Sequence, residues 1–145
     1  MSDFRRLSDT VYASPQVTAA DIAEAASLGI KLVINNRPEG EAEDQTPGSA
    51  IEAAARAAGM DYAAIPVTMP TLSDVHVLAM EEKLANAEGP VLAYCRSGTR
   101  STLLWSLAQA KSGGDPDEIA AAAAAAGYDV SPVRAAMDAY AAARE

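Results

Sequence analysis

Two short apolar runs constrain the fold of this chain more than any other feature. Lys31 to Asn35 (Lys-Leu-Val-Ile-Asn) and Val91 to Tyr94 (Val-Leu-Ala-Tyr) show no alternation of apolar and polar residues. A strand with one face in water alternates, whereas a strand covered on both faces is apolar throughout. Both runs therefore read as strands inside a sheet that carries helices on its two sides.

The punctuation between them agrees. Val11 to Ser14 is a short strand closed by Pro15, and Tyr62 to Val67 is another, which Pro66 confines to a strand end or an edge. Thr18, with Asp21 three residues on, opens a helix that Gly29 stops. Ser49 caps a helix over Ala50 to Ala58, stopped by Gly59; Ser73 opens one that ends near Gly89-Pro90. A helix runs from about Thr99 to Lys111, an alanine-rich one from Asp117 or its neighbour to Ala126, and a last one starts at Ser131-Pro132. This order predicts one α/β domain over residues 1–145, with a central, mostly parallel sheet of four to five strands flanked by helices.

Composition narrows the function classes. A formal charge of −9 opposes a phosphate backbone or an anionic membrane as partner, since either needs a basic face. The single cysteine excludes an internal disulfide. The first twenty residues hold no apolar core of a secretory signal, and no apolar stretch approaches the ~20 residues of a membrane span. These features lead us to expect a cytoplasmic protein. No cluster of side chains has metal-ligand spacing, and no cofactor is expected.

The single cysteine lies where chemistry is easiest to build. Cys95 follows the strand ending at Tyr94, and Arg96, Ser97, Gly98, Thr99, Arg100 and Ser101 lead into the next helix. A thiol attacks well only as thiolate, and an unperturbed one is mostly protonated at neutral pH. Unpaired N–H groups at the helix start, the two arginines and the nearby hydroxyls all favour the ionised sulfur, while Gly98 permits the curl that turns amides inward. The same cradle suits a tetrahedral oxyanion, with Arg100 able to grip two oxygens. Arg37, at the carboxyl end of a central strand, is either a second anion contact or a salt-bridge partner of the nearby glutamates. The acidic run Glu39, Glu41, Glu43 and Asp44 reads as a solvated loop, with a lid as its functional alternative. His76 reads as a structural or solvent-facing helix residue and Trp105 as core.

The loop from Tyr94 to Ser101 resembles the active-site loop of single-domain rhodaneses, in which four residues separate cysteine from arginine. It also resembles the signature of tyrosine and dual-specificity phosphatases, where five residues intervene and Arg-Ser follows. Upstream, Leu32 to Glu39, Gly59 to Tyr62 and Ile65 to Val67 resemble the dual-specificity phosphatase order of strand, acidic loop, helix and strand. From about Phe4 to Tyr140 the chain resembles the bacterial beta-lactamase-hydrolase-like (Blh) phosphatase-like proteins, also labelled a sulfurtransferase family. The resemblance implies a tyrosine-phosphatase-like fold with Cys95 as nucleophile. It implies that the amides of residues 96–100 and the Arg100 guanidinium form the anion cradle, and that Ser101 supports the thiolate. Two departures stand out. Tyr94 replaces the histidine that phosphatases place before the cysteine, and Val67 to Leu72 holds no acid where they carry a general-acid aspartate.

Releasing an alkoxide from a phosphate ester calls for a positioned acid, worth ~10²–10⁴ in rate. Asp74 is nearest but reads as the opening of a helix; Glu41, Glu43 and Asp44 are the other sources. Sulfane-sulfur transfer needs no such acid, and a loop one residue shorter closes a smaller cradle. The residues taken alone therefore favour a sulfurtransferase that passes a Cys95 persulfide to an external thiol, either a small thiol or a partner protein. The alternatives are a phosphatase acting on a phosphorylated substrate through a Cys95 phosphoenzyme, and a non-catalytic anion-binding module.

Overall fold

A computed structural model describes residues 2–143. Five strands form one sheet: β1 (Arg5–Arg6), β2 (Val11–Ser14), β3 (Leu32–Asn35), β4 (Asp61–Ala64) and β5 (Val91–Tyr94). Their order across the sheet is β1-β2-β5-β3-β4; β1 runs antiparallel to β2, and every other pairing is parallel. The two apolar runs become neighbours, Leu32 opposite Val91 and Asn35 opposite Tyr94. All four residues of each are buried, because helices cover both faces.

Helices α1 (Ala19–Ser27) and α2 (Gly48–Ala57) pack on one face, where Ile22, Ala25, Ile51 and Ala55 meet Val33, Leu92 and Tyr94. Helices α3 (Asp74–Asn86), α4 (Thr99–Lys111), α5 (Pro116–Ala125) and α6 (Arg134–Ala143) lie on the other face. Val77, Met80, Leu104, Ile119 and Met137 pack there against Ile34 and Ala93. In α4 the stretch Ser101–Ala108 is buried all round, as expected of a helix enclosed by its neighbours. Trp105 is part of that core.

Local departures from expectation have physical causes. Strand β1 was not anticipated, since two arginines carry no apolar signal; it is an edge strand paired on one side. The edge strand β4 stops at Ala64, two residues before Pro66. Ser49 does not cap α2. Pro47 occupies that position, and the Glu39 carboxylate takes the first amide instead, with Gly48 N–H donating at 2.9 Å. Asp115, not Asp117, caps α5, and a 3₁₀ turn (Ser131–Val133) precedes α6. His76 closes a capping box at the start of α3, its Nδ1 accepting from the Ser73 amide at 3.1 Å. Among the described residues, no helix is long and apolar enough to cross a membrane.

The enclosed centre of the sheet sets one expectation. Leu92→Ala removes a fully buried side chain from β5 and should lower the unfolding free energy by about 2–5 kcal/mol in urea denaturation. A loss below about 1 kcal/mol would contradict the tight packing of this strand.

Candidate active site

The carboxyl ends of β2, β5 and β3 lie side by side, and the chain leaves each of them through a turn. Ligands of parallel sheets collect at that end. Cys95 begins the turn after β5, with its amide on the Ser14 carbonyl at 3.3 Å. The turn closes in four residues because Gly98 adopts φ +94°, a left-handed conformation that a side chain resists. That twist aims the Gly98 N–H at the sulfur, with Gly98 N to Cys95 Sγ at 3.1 Å. Cys95 is 0% exposed, so the sulfur sits at the bottom of the turn and not on its rim.

Arg100, in the first turn of α4, is held inward rather than directed into water. Its side chain is only 15% exposed. Nη1 donates to Glu41 Oε2 at 2.7 Å and to the Val67 carbonyl at 2.9 Å, and Nη2 donates to Glu41 Oε1 at 2.8 Å. Glu41 raises the guanidinium above the ordinary arginine value against the effect of burial, and the Cys95 sulfur adds to the rise.

Arg37 completes the arrangement from the end of β3. It is 5% exposed; its Nε donates to the same Glu41 Oε1 at 2.9 Å, and its Nη1 to Gln16 Oε1 at 3.0 Å. Of the two readings open for Arg37, the ion pair with a neighbouring glutamate is what the structure contains. The Glu41 carboxylate thus bridges two arginines, and they hold it at a pKa of about 2, with Arg100 the larger cause.

The remaining expected residues divide into two groups. Arg96, Ser97 and Thr99 are exposed on the outer side of the turn, where Ser97 Oγ donates to Thr99 Oγ1 at 3.0 Å. Ser101 is fully buried, and its hydroxyl donates to Asn36 Oδ1 at 2.8 Å, a neighbour other than the sulfur it was expected to support. Asn36 in turn donates from Nδ2 to the Ile65 carbonyl at 3.1 Å, so Ser101 ties α4 to the ends of β3 and β4. Tyr94 points into the α1/α2 layer, where burial pushes its pKa up. Asp74 stands in the first turn of α3 and accepts from the Tyr140 hydroxyl.

Two contacts were missed in the sequence. Glu41 was one acid among four in a loop, and nothing in the spacing distinguished it. Tyr128, 30 residues beyond Gly98, sets its Oη 3.3 Å from the Ser97 carbonyl and in the space where a Gly98 Cβ would stand. The Arg5 guanidinium lies over the Tyr128 ring, 5.2 Å from its centroid. An aromatic pressed against a glycine across such a separation leaves no local pattern to read.

Comparison with known proteins yields consistent matches. The family described as "Beta-lactamase hydrolase-like protein, phosphatase-like domain" matches residues 3–112. A beta-lactamase hydrolase-like protein of Agrobacterium fabrum is 40% identical over 108 residues, 74% of this chain and 25% of that protein. One from Xylella fastidiosa is 33% identical over 125 residues, 86% of this chain and 29% of its own length. The chain thus spans about a quarter of the length of the curated relatives it matches. Among solved structures, a candidate phosphatase from Neisseria meningitidis is 38% identical with a TM-score of 0.85, covering 97% of this chain and 99% of that one. Human DUSP28 shares the fold at 17% identity and a TM-score of 0.67, covering 97% and 95%. A cysteine-to-serine variant of P. aeruginosa TpbA, solved in complex with phosphotyrosine, shares it at 24% identity and 0.62, covering 94% and 90%.

Two outcomes follow from the geometry. Gly98→Ala should destabilise the fold by at least about 1 kcal/mol in urea denaturation. Gly59→Ala, at φ +83° with open space around it, should carry only the backbone cost and lose less. Equal losses in the two variants would contradict the close packing of the Cys95 turn around Gly98. The Glu41 carboxyl sits lower in the folded chain (about 2) than its ordinary 4.5, so its charge stabilises the fold above pH 4.5 and stops doing so as pH falls toward 2. The stability difference between wild type and Glu41→Gln should therefore be flat above about pH 5 and shrink across that window in acid titrations. A difference that did not vary with pH would rule out the double ion pair.

Proposed function

The chain belongs to the family of beta-lactamase hydrolase-like proteins, phosphatase-like domain, and on that premise we propose that it is a cysteine-dependent phosphatase working through a Cys95 phosphoenzyme. The observation that carries this reading is the turn itself: the Gly98 N–H on the Cys95 sulfur, with Arg100 in the first turn of the helix that follows, its guanidinium held inward by Glu41 and the Val67 carbonyl. The phosphatase-like family and the phosphatase-fold neighbours favour phosphoryl transfer over the sulfur transfer that loop length alone points to. The TpbA complex with phosphotyrosine supports a phosphorylated substrate for a chain of this fold.

The chemistry proceeds in two displacements. The Cys95 thiolate attacks phosphorus, an S–P bond forms, and the P–O bond to the leaving group breaks, its electron pair departing on oxygen. The turn's amides and the Arg100 guanidinium take the charge on the remaining phosphoryl oxygens. Water then attacks phosphorus, the S–P bond breaks, and inorganic phosphate leaves with the thiolate restored. Residues 67–72 supply no acid and Asp74 is engaged by Tyr140, so the leaving oxygen has no evident proton donor there. Aryl phosphates, whose phenoxides are stable anions, suit the site better than alkyl phosphates.

Sulfur transfer stands as the second reading, favoured by the four-residue spacing between Cys95 and Arg100 and by the same lack of acid. It would leave one sulfur atom on Cys95 after treatment with thiosulfate or glutathione persulfide, removable by reductant.

Kinetics test the first reading. Cys95→Ser should abolish p-nitrophenyl phosphate hydrolysis, and Arg100→Lys should cut kcat/KM by about 10²-fold. The ratio of kcat/KM for phenyl over ethyl phosphate should exceed ~10². Hydrolysis that survives in Cys95→Ser, or sulfur loading without any phosphatase activity, would overturn it.

A further inference from the structure

We propose that Glu41 is an internal competitor that restricts the Cys95 cradle to dianionic oxyanions. The inference rests on the reading of Arg100 as the anion-binding arginine and names the ligand class of that site. Arg100 presents its Nη1–Nη2 edge to the Glu41 carboxylate as a bidentate pair, at 2.7 and 2.8 Å. An oxyanion that takes the same grip has to displace that carboxylate.

The displaced carboxylate does not leave the neighbourhood. Arg37 is a nearly buried cation whose Nη1 donates to the neutral Gln16 amide. Releasing Glu41 entirely would leave that charge buried without a counter-ion, which is costly. Glu41 therefore stays on Arg37 Nε while giving up Arg100. The loop has its own bracing for such a shift: Gln45 accepts from the Glu41 amide at 2.9 Å and donates to the Pro38 carbonyl at 2.9 Å. The next carboxylate, Glu39, is tied separately to the start of α2.

Charge counting then sets the threshold. A monoanion on Arg100 replaces one negative charge with another and sits beside the retained Glu41 carboxylate, so the exchange gains nothing and adds repulsion. A dianion brings a second negative charge to the two arginines and outweighs that repulsion. Sulfate, tungstate, thiosulfate and phosphate monoesters belong to the admitted class; carboxylates, nitrate and phosphodiesters do not.

Calorimetric titration at constant ionic strength reads anion affinity without turnover. Sulfate and tungstate should bind the wild type, while acetate and nitrate should not. In Glu41→Gln, dianions should bind about tenfold more tightly, and monoanions should begin to bind. Equal binding of both classes by the wild type, or unchanged affinities in Glu41→Gln, would overturn the proposal and leave the cradle intact. No binding of any anion by either protein would overturn the cradle reading as well. Should Glu41→Gln fail to fold, Glu41→Asp decides, since it keeps a charge for Arg37 with a side chain one methylene shorter: sulfate should bind it more tightly than the wild type, and an unchanged affinity would overturn the proposal.

Discussion

The left-handed turn at Gly98 is the constraint on which the site depends. Four residues must carry the chain from the end of β5 into α4 while turning an amide inward to the sulfur, and φ +94° at Gly98 accomplishes both. The Tyr128 hydroxyl occupies the space where a Cβ would project, so a side chain there would have to displace that ring as well as adopt the left-handed angle. The same residue serves as N-cap of α4, and its carbonyl accepts the Thr102 amide and hydroxyl, at 3.0 and 2.8 Å. Cradle and helix start are one local structure. The helix that follows it is enclosed by α3, α5, α6 and the sheet.

Electrostatics around the turn follow from this placement. Cys95 is buried beneath the inward Gly98 amide, and the largely buried Arg100 guanidinium needs a counter-ion. Glu41 supplies it from within the chain. Its carboxylate satisfies Arg100 and Arg37 together and is held far below its usual pKa by doing so. The acidic loop is thus fastened at two points by two glutamates, one on a pair of guanidiniums and one on the start of a helix. Neither role belongs to a freely solvated loop.

Much of this architecture is legible in the sequence. Continuous apolar runs placed β3 and β5 in the middle of the sheet, and the Thr18–Asp21 capping box marked the start of α1. The bounds of β2 and α4 follow from Pro15 and from the turn after Cys95. Those signals are local, written within a few residues of the elements they define. What escaped was long-range or polar. Strand β1 is two arginines whose partner alone makes them a strand. The contacts of Glu41 with Arg100 and of Tyr128 with Gly98 join positions separated by 59 and 30 residues, and neither carries periodicity. The hydroxyl of Ser101 was expected on the sulfur, yet Asn36, 65 residues earlier in the chain, receives its hydrogen bond. Loop length pointed toward sulfur chemistry, whereas fold and family point toward phosphoryl chemistry.

The most direct measurement is acid quench of the wild-type chain during hydrolysis of an aryl phosphate, followed by mass analysis of the peptide that carries Cys95. A phosphoryl group on the sulfur, appearing within one turnover and lost as inorganic phosphate is released, is the predicted result. Steady hydrolysis with Cys95 unmodified at every quench time would contradict the account, since water would then be attacking the ester without the thiol.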